Sequence, residues 1–289
     1  MIEQNNYSKP KVGIKSPTFL YLKMKKIVFY ILLSCLLSCN QNKYAKSNML
    51  RSEILDSLTK EINTENKIAT QYTTNCEGAV NFNLRKPNYI ILHHTAQDDF
   101  LFTIQLFTNT QTKVSAHYIV TRNGYIINMV NDYLRAWHAG DGAWGNNTDM
   151  NSNSIGIELD NNGFEYFKKS QIKSILLLLK KLKTKYNIPK QNILAHSDIC
   201  VERKNDPSAL FPWKILSNKG FGLTANKMLQ ETPKNFNEKM ALRIIGFKTT
   251  NYGHAVKAFK LHYMQNEIDT IVDVNTKKTI YDIYLQHEL

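Results

Sequence analysis

The chain has 289 residues, a formal net charge of +13, and a composition of 43% hydrophobic and 21% charged residues. That length suffices for one large and one small domain with a buried core, and the composition is typical of a globular protein. The positive charge favours anionic partners such as anionic lipid or an acidic wall polymer. No block of lysines and arginines interleaved with aromatic residues occurs, so we expect no nucleic-acid partner.

The N-terminus contains the pattern of an export signal. Lys25 and Lys26 precede the apolar stretch Ile27 to Leu37, which is too short to span a bilayer as a helix. The motif LLSC occurs twice, and its second copy ends at Cys39 before a polar segment, which resembles the lipobox of bacterial lipoproteins. We therefore expect translation from Met24 and a mature chain that begins at a lipid-bearing Cys39. An uncleaved anchor helix is the alternative.

Strand and helix patterns alternate along the next part of the chain. Apolar or alternating runs predict strands at 88–92, 154–160 and 192–195. A hairpin is predicted around Asn123-Gly124, within residues 117–130. Helical spacing predicts helices at 47–62, 100–109 and 170–187. This order indicates an α/β fold in which a mixed central β-sheet is flanked by helices.

The pattern changes after residue 222. Apolar positions there recur at helical spacing, which predicts a small domain of three helices near 236–245, 253–264 and 276–287. Two cysteines remain besides those of the signal, Cys76 and Cys200, and their large separation in sequence gives no reason to pair them. We expect both to be free thiols.

Two adjacent histidines end the first predicted strand, in the sequence NYIILHHTAQDD. Because side chains alternate along a strand, His93 shares a face with Ile91, and His94 lies on the opposite face. Only one of the two can therefore point into a site above the end of the strand. A single histidine here is compatible either with a metal ligand or with a hydrogen-bonded residue of the core.

A second cluster of polar residues follows the strand at 192–195. It holds His196, Asp198, Lys204 and Asp206, and His196 directly follows the strand. Two imidazoles and one carboxylate form a tetrahedral zinc site that leaves one position for water. The pKa of such a water falls to near 7, which suits the hydrolysis of an unactivated amide.

Amide hydrolysis also needs a proton shuttle and a group that stabilises the oxyanion. Alternation in SIGIELD places Glu158 opposite Ile157 and Leu159, where it could act as the base. Lys204 could stabilise the negative charge together with the metal. Taken singly, Glu158 is more simply explained as a solvated carboxylate and Lys204 as a surface lysine.

Four further residues are candidates for contacts with substrate. His117 and His138 could be ligands or substrate contacts. Trp137 and Trp144 flank a glycine-rich loop that could present a platform for the face of a sugar. The alternative is a structural loop packed by its tryptophans.

Five motifs in this order resemble the zinc-dependent N-acetylmuramoyl-L-alanine amidases of type 2, the family that also contains the peptidoglycan recognition proteins. They are ILHHTA, SAHYIVTRNGYI, RAWHAG, SIGIELD and AHSDICVERKNDPSALFPW. The lipobox and the helical C-terminal region further resemble outer-membrane lipoprotein amidases of this family. The resemblance implies a signal and lipobox region at 1–39, a tether at 40–77, a zinc amidase domain at 78–222, and a helical peptidoglycan-binding-like domain at 225–289.

The resemblance also implies residue roles. His93, His196 and Asp206 match the zinc ligands, Glu158 matches the catalytic glutamate, and Lys204 matches a lysine near the metal. The family's usual DPG reads DPS in this chain, which is expected to alter a turn and not the ligand.

The implied function is hydrolysis of the amide between N-acetylmuramic acid and L-alanine in peptidoglycan or its fragments, with one Zn²⁺ per chain. The expected protein is a monomer in the cell envelope, lipid-anchored at the outer membrane and facing the periplasm. Two alternatives remain open. One is a peptidoglycan-binding lipoprotein without turnover, and the other is a zinc peptidase that cuts within the stem peptide.

Overall fold

A computed structural model describes residues 43–62, 84 and 86–288. The first of these segments contains helix α1, Ala45–Ile62. None of the residues in this helix is buried. It confirms the helix predicted at 47–62. The expected signal and lipobox, including Cys39, and the thiol of Cys76 lie outside the described residues. Among the described helices, none is both long enough and apolar enough to cross a membrane.

The later residues, from 86 onward, belong to one compact unit built around a five-stranded mixed sheet. Its strands are β1 Tyr89–His94, β2 Tyr118–Val120, β3 Ile126–Asn128, β4 Ser154–Leu159 and β5 Ile193–Ala195. Their spatial order is β3-β2-β4-β1-β5, and only β3 runs antiparallel to its neighbour. The predicted mixed sheet flanked by helices is confirmed.

The helices of this unit lie between and after the strands. They are α2 Phe100–Phe107, α3 Met150–Asn153, α4 Lys169–Tyr186, α5 His196–Ile199, α6 Trp213–Ser217, α7 Glu238–Ile245, α8 Tyr252–Phe259 and α9 Val274–Glu288. A π-helical turn, Lys260–Met264, extends α8. The helices predicted at 100–109 and 170–187 and the three predicted after residue 222 are therefore confirmed.

The predicted hairpin is also present, between β2 and β3. Gly124 adopts a φ of +88°, a backbone conformation that favours glycine in tight turns. The Ser174 hydroxyl on α4 donates a hydrogen bond of 2.6 Å to the Gly124 carbonyl, so the hairpin is fastened to that helix.

The sheet buries both of its faces, as strands in mostly parallel sheets do. On one face Ile90 and Leu92 pack with the apolar stripe of α4. On the other face Ile91 and Leu194 pack with α7, α8 and α9 in a second core cluster. His93 lies on the same face as Ile91, because they are two residues apart in β1. The C-terminal helices therefore cover the sheet face from which His93 projects.

Candidate metal centre

Three polar side chains meet above the end of β1. His93 Nδ1 lies 2.9 Å from His196 Nδ1 and 3.2 Å from Asp206 Oδ2. His196 Nδ1 lies 3.0 Å from the same carboxylate oxygen. All three residues are buried. The structure thus brings together the three residues that the sequence predicts as ligands, from positions far apart in the chain.

Neighbouring strands place these ligands. His93 lies in β1, and His196 begins α5 directly after β5, which is the parallel neighbour of β1. The loop after α5 returns Asp206 to the same point, where the Ser197 amide donates a hydrogen bond of 3.0 Å to the Asp206 carbonyl. This bond fixes the two ligand-bearing segments to each other.

The donor set fits a zinc ion. Tetrahedral coordination with bond lengths of about 2.0–2.1 Å separates ligand atoms by about 3.3 Å. The three separations of 2.9, 3.2 and 3.0 Å are close to that value. Two imidazole nitrogens and one carboxylate oxygen are also the ligand types that zinc prefers.

The electrostatics favour the protonation states that a metal ligand needs. Burial, reinforced by the nearby His196, lowers the pKa of His93 to about 4, which keeps its imidazole neutral. Burial alone would raise the pKa of Asp206, but His196 and His93 outweigh burial and hold this pKa below its usual value. The site therefore presents a neutral imidazole and an ionised carboxylate near pH 7.

His138 orients the ligand His93 by contacting the ring nitrogen that faces away from the other two ligands. Its Nδ1 lies 3.1 Å from His93 Nε2, and its Nε2 lies 3.3 Å from the Ser154 hydroxyl. Burial, with the neighbouring His93, holds the pKa of His138 well below its ordinary value, so this ring is neutral. The Nδ1 atom of a neutral His138 accepts a hydrogen bond from His93 Nε2, which leaves His93 Nδ1 free for the metal, an arrangement common among metal-bound histidines.

Glu158 lies beside the ligands in β4, where it is the register partner of His93. Its Oε2 atom is buried and has no hydrogen-bond partner within the described part of the chain. Burial, reinforced by the charge of Asp206 and opposed by that of Lys204, raises its pKa to about 8. Glu158 is therefore not the solvated carboxylate that its position alone would also have allowed, and its proton affinity suits general acid–base chemistry.

A cavity of about 340 Å³ opens beside the ligands. His138 and His196 lie in its wall, and so does the exposed Lys204. Trp137 also lines it, with 51% of its surface exposed. The structure thus places Lys204 and Trp137 where they can contact a bound molecule.

The cavity wall is positively charged. Lys113 and Arg203 join Lys204 there, and the described lining residues include no carboxylate. Arg203 also contacts Asp141, which offsets part of its charge. Lys113 was not predicted from the sequence, because a lone lysine in a loop carries no pattern.

Two predicted substrate contacts are wrong. His117 is fully buried, its Nδ1 accepts from the Gly156 amide, and its Nε2 donates to the Leu134 carbonyl. Trp144 is only 5% exposed and packs edge-on against Phe247 in the core. Both residues are therefore structural. His138 lines the cavity, but its ring nitrogens already contact His93 and Ser154.

Two supporting residues were missed by the sequence analysis. Asn151 accepts hydrogen bonds from the amides of His138 and Ala139 through its side-chain oxygen, at 2.9 and 2.8 Å. His94 accepts a bond of 3.1 Å from the Ser208 amide and so holds the turn after Asp206. The second histidine of the pair thus supports the segment that carries the third ligand.

Comparison with known proteins agrees with this geometry. Residues 83–209 match the sequence profile of the family described as N-acetylmuramoyl-L-alanine amidase. The chain is 39% identical over 149 residues to N-acetylmuramoyl-L-alanine amidase AmiD of Escherichia coli, a match that covers 46% of this chain and 53% of AmiD. The chain thus spans about half the length of that curated relative.

Two solved structures are similar over most of the chain. One is E. coli AmiD in complex with the substrate anhydro-N-acetylmuramic acid-L-Ala-D-gamma-Glu-L-Lys. It has 25% identity and a TM-score of 0.63, and covers 75% of this chain and 96% of its own. The other is AmpDh3 of Pseudomonas aeruginosa, with 25% identity, a TM-score of 0.66, and coverage of 77% and 100%. Residues 83–209 are thus similar in sequence to the N-acetylmuramoyl-L-alanine amidase family, and the chain from the sheet onward shares the fold of these two structures.

Proposed function

We propose that this protein is a zinc-dependent amidase that hydrolyses the bond between the lactyl group of N-acetylmuramic acid and L-alanine of the stem peptide. The observation that carries the proposal is the cluster of His93, His196 and Asp206, whose three donor atoms lie about as far apart as the corners of a zinc tetrahedron. The raised pKa of Glu158 beside this cluster supports a hydrolytic role.

His93, His196 and Asp206 would hold one Zn²⁺ per chain. When bound, zinc supplies a Lewis acid for the amide carbonyl and lowers the pKa of water. His138 keeps the proton of His93 on Nε2, which leaves the ligand atom Nδ1 unprotonated. The neutral His93 and the ionised Asp206 need no proton rearrangement before the metal binds.

Glu158 moves the proton in this mechanism. As a carboxylate, the form that the charge of a bound zinc ion would favour, it takes a proton from the attacking water as the carbon–oxygen bond forms, and then returns it to the amine of L-alanine as the carbon–nitrogen bond breaks. Its buried, unpartnered Oε2 is able to hold that proton between the two steps. Without this transfer the leaving group would be an amide anion, which is far too basic to depart.

The cationic wall of the cavity stabilises negative charge. Lys204 lies where it can stabilise the developing oxyanion, and Lys113 adds charge that suits the carboxylates of a stem peptide. Trp137 offers an exposed ring for the face of the glycan or peptide. The substrate in the E. coli AmiD structure is a muramyl peptide with two such carboxylates, and we extend that substrate class to this chain.

Mass spectrometry of purified muropeptides tests the proposal, with and without a chelator. The expected product is a stem peptide with a free L-alanine amine, formed only without chelator. Bound but intact fragments would instead indicate the non-catalytic peptidoglycan-binding lipoprotein. Cuts inside the stem peptide would indicate a different zinc peptidase. Either of these results overturns the proposal.

We further propose that lipid on Cys39 anchors the protein at the outer membrane, facing the periplasm, where it acts as a monomer on peptidoglycan. The helical region at 225–289 would assist by binding the wall. A Cys39→Ser variant should leave the membrane fraction and keep its activity on soluble muropeptides. Retention of this variant in the membrane would contradict the anchor.

A further inference from the structure

We propose that His262, in the C-terminal helical region, is a positioning residue for the metal ligand His196 and acts through Asp198. This inference rests on the proposed metal site, but its evidence lies outside the ligand cluster. It assigns the C-terminal helices a role inside the amidase centre, in addition to any contact they make with the wall.

Asp198 connects the two parts of the chain. Its Oδ2 atom accepts a hydrogen bond of 2.7 Å from the Ala195 amide, and it lies 2.7 Å from His262 Nδ1. The side chains of Asp198 and His262 are both fully buried. The same oxygen thus joins the Ala195 amide of the amidase centre to the ring of His262.

The His262 ring is held in one orientation. It stacks on Trp213 with the ring centroids 3.7 Å apart, and on Tyr263 with the centroids 4.0 Å apart. The π-helical turn Lys260–Met264 carries this residue, and such turns are frequent at functional sites. Packing on both faces of the ring therefore fixes the position of His262 Nδ1 relative to Asp198.

Asp198 is linked to the metal site through Ala195, which is joined directly to the ligand His196. Ala195 is the last residue of β5, and His196 is the first residue of α5. A helix of four residues has little stability of its own, so its position depends on contacts with the rest of the molecule. Asp198 supplies one of these contacts by bonding the Ala195 amide, and His262 fixes Asp198.

Two substitutions separate positioning from ordinary packing. His262→Phe keeps an aromatic ring between Trp213 and Tyr263 but removes the donor. His262→Asn loses the stacked ring but keeps an N–H group near the position of Nδ1. Ile283→Ala is the control, because Ile283 is fully buried in the core cluster that also contains Tyr263, and its apolar side chain cannot bond to α5.

The first measurement is the zinc dissociation constant, by competition with a chelating dye, alongside the melting temperature. We expect His262→Phe to weaken zinc binding at least about tenfold, and His262→Asn to stay within about threefold of the wild type. Ile283→Ala should lower the melting temperature and leave the zinc affinity unchanged. Wild-type zinc affinity in His262→Phe, or an equal loss of zinc affinity in His262→Phe and Ile283→Ala, would overturn the inference.

The second measurement is hydrogen exchange of the Ala195 amide in the metal-free protein, which requires neither zinc nor turnover. Exchange should be at least about tenfold faster in His262→Phe than in the wild type, while exchange at Ile91 stays unchanged. Equal rates at Ala195 would overturn the inference. A wild type that binds no zinc would instead refute the proposed function, and the exchange rates would still decide the role of His262.

Discussion

Glu158 combines burial with a nearby negative charge, and both disfavour its ionised form. Its Oε2 has no hydrogen-bond partner among the described residues, and its pKa is raised to about 8. A carboxyl group in this condition binds and releases a proton near neutral pH, which an ordinary surface glutamate cannot do. Two predictions follow from this environment, one for catalysis and one for stability.

For catalysis, Glu158→Gln should retain one zinc per chain and lower kcat at least about 100-fold, because it removes the proton shuttle and leaves the ligands in place. Metal analysis and a muropeptide assay on the same preparation measure the two effects. Glu165→Gln is the matched control, since Glu165 pairs with Arg122 and is not a neighbour of the ligand His93, as Glu158 is. Full activity of Glu158→Gln would exclude this residue as the shuttle.

For stability, the raised pKa of Glu158 makes the metal-free protein less stable as the pH rises. Between about pH 5 and about pH 8 the folded, metal-free protein keeps the Glu158 proton while the unfolded chain releases it, so stability falls as pH rises. Over that range the free energy of unfolding of the wild type should fall, relative to that of Glu158→Gln, by on the order of 1–3 kcal/mol. Urea unfolding at several pH values measures this difference. Parallel curves for the two proteins would contradict the raised pKa.

Among single residues, those whose role depends on the alternation of side chains along a strand were predicted from the sequence. The choice of His93 over His94 follows from the two-residue period of β1. His117 and Trp144 were misassigned because their partners, the amide of Gly156 and the ring of Phe247, come from distant segments. No local pattern shows that a histidine or tryptophan is covered by residues so far away in the chain.

Strand β4 carries Glu158 and also makes room for His138. A Cβ atom on Gly156 would lie 2.3 Å from His138 Cγ, which is closer than any real contact. The glycine therefore allows the His138 ring to lie close to the strand and reach His93. The shape of β4 at Gly156 thus matches the ring of His138, which supports the ligand His93.

Substitution of this glycine tests the match. Gly156→Ala should destabilise the protein by about 1–3 kcal/mol and weaken zinc binding, because the ring of His138 must move. Thermal unfolding and zinc titration measure the two effects. In a His138→Ala background the same substitution should cost much less stability, since the clash is gone. An equal cost in both backgrounds would show that the methyl group acts elsewhere.

Elements with strong periodicity were predicted well, and very short ones were not. The stripe of α4 and the Asn-Gly turn have clear local signals. Helices α3 and α5 have four residues each and no such pattern. Their form depends on individual carboxylates, with Asp149 accepting from the Ser152 amide and Asp198 from the Ala195 amide.

For the whole molecule, the C-terminal helices are part of the core. Ile91 and Leu194 from the sheet share a buried cluster with Leu242, Phe259 and Ile283 from the helices. The sequence indicated three helices but could not indicate where they pack, because an amphipathic face does not specify its partner. The functional division between 78–222 and 225–289 stays a prediction.

Deletion of residues 225–289 tests this packing. The truncated chain would expose Ile91 and Leu194 to water, so we expect loss of the cooperative unfolding transition seen for the full chain. Differential scanning calorimetry measures it. A chain that starts at residue 63 is the control, because α1 contains no buried residue. An unchanged melting temperature after the C-terminal deletion would contradict a shared core.

The most direct test of the central claim is the metal content of the purified protein, combined with X-ray absorption at the zinc edge. The account predicts one zinc per chain with two histidine nitrogens and one carboxylate oxygen, and no retained zinc in His196→Ala. A wild type without zinc, or a His196→Ala variant that still holds one zinc per chain, would contradict it.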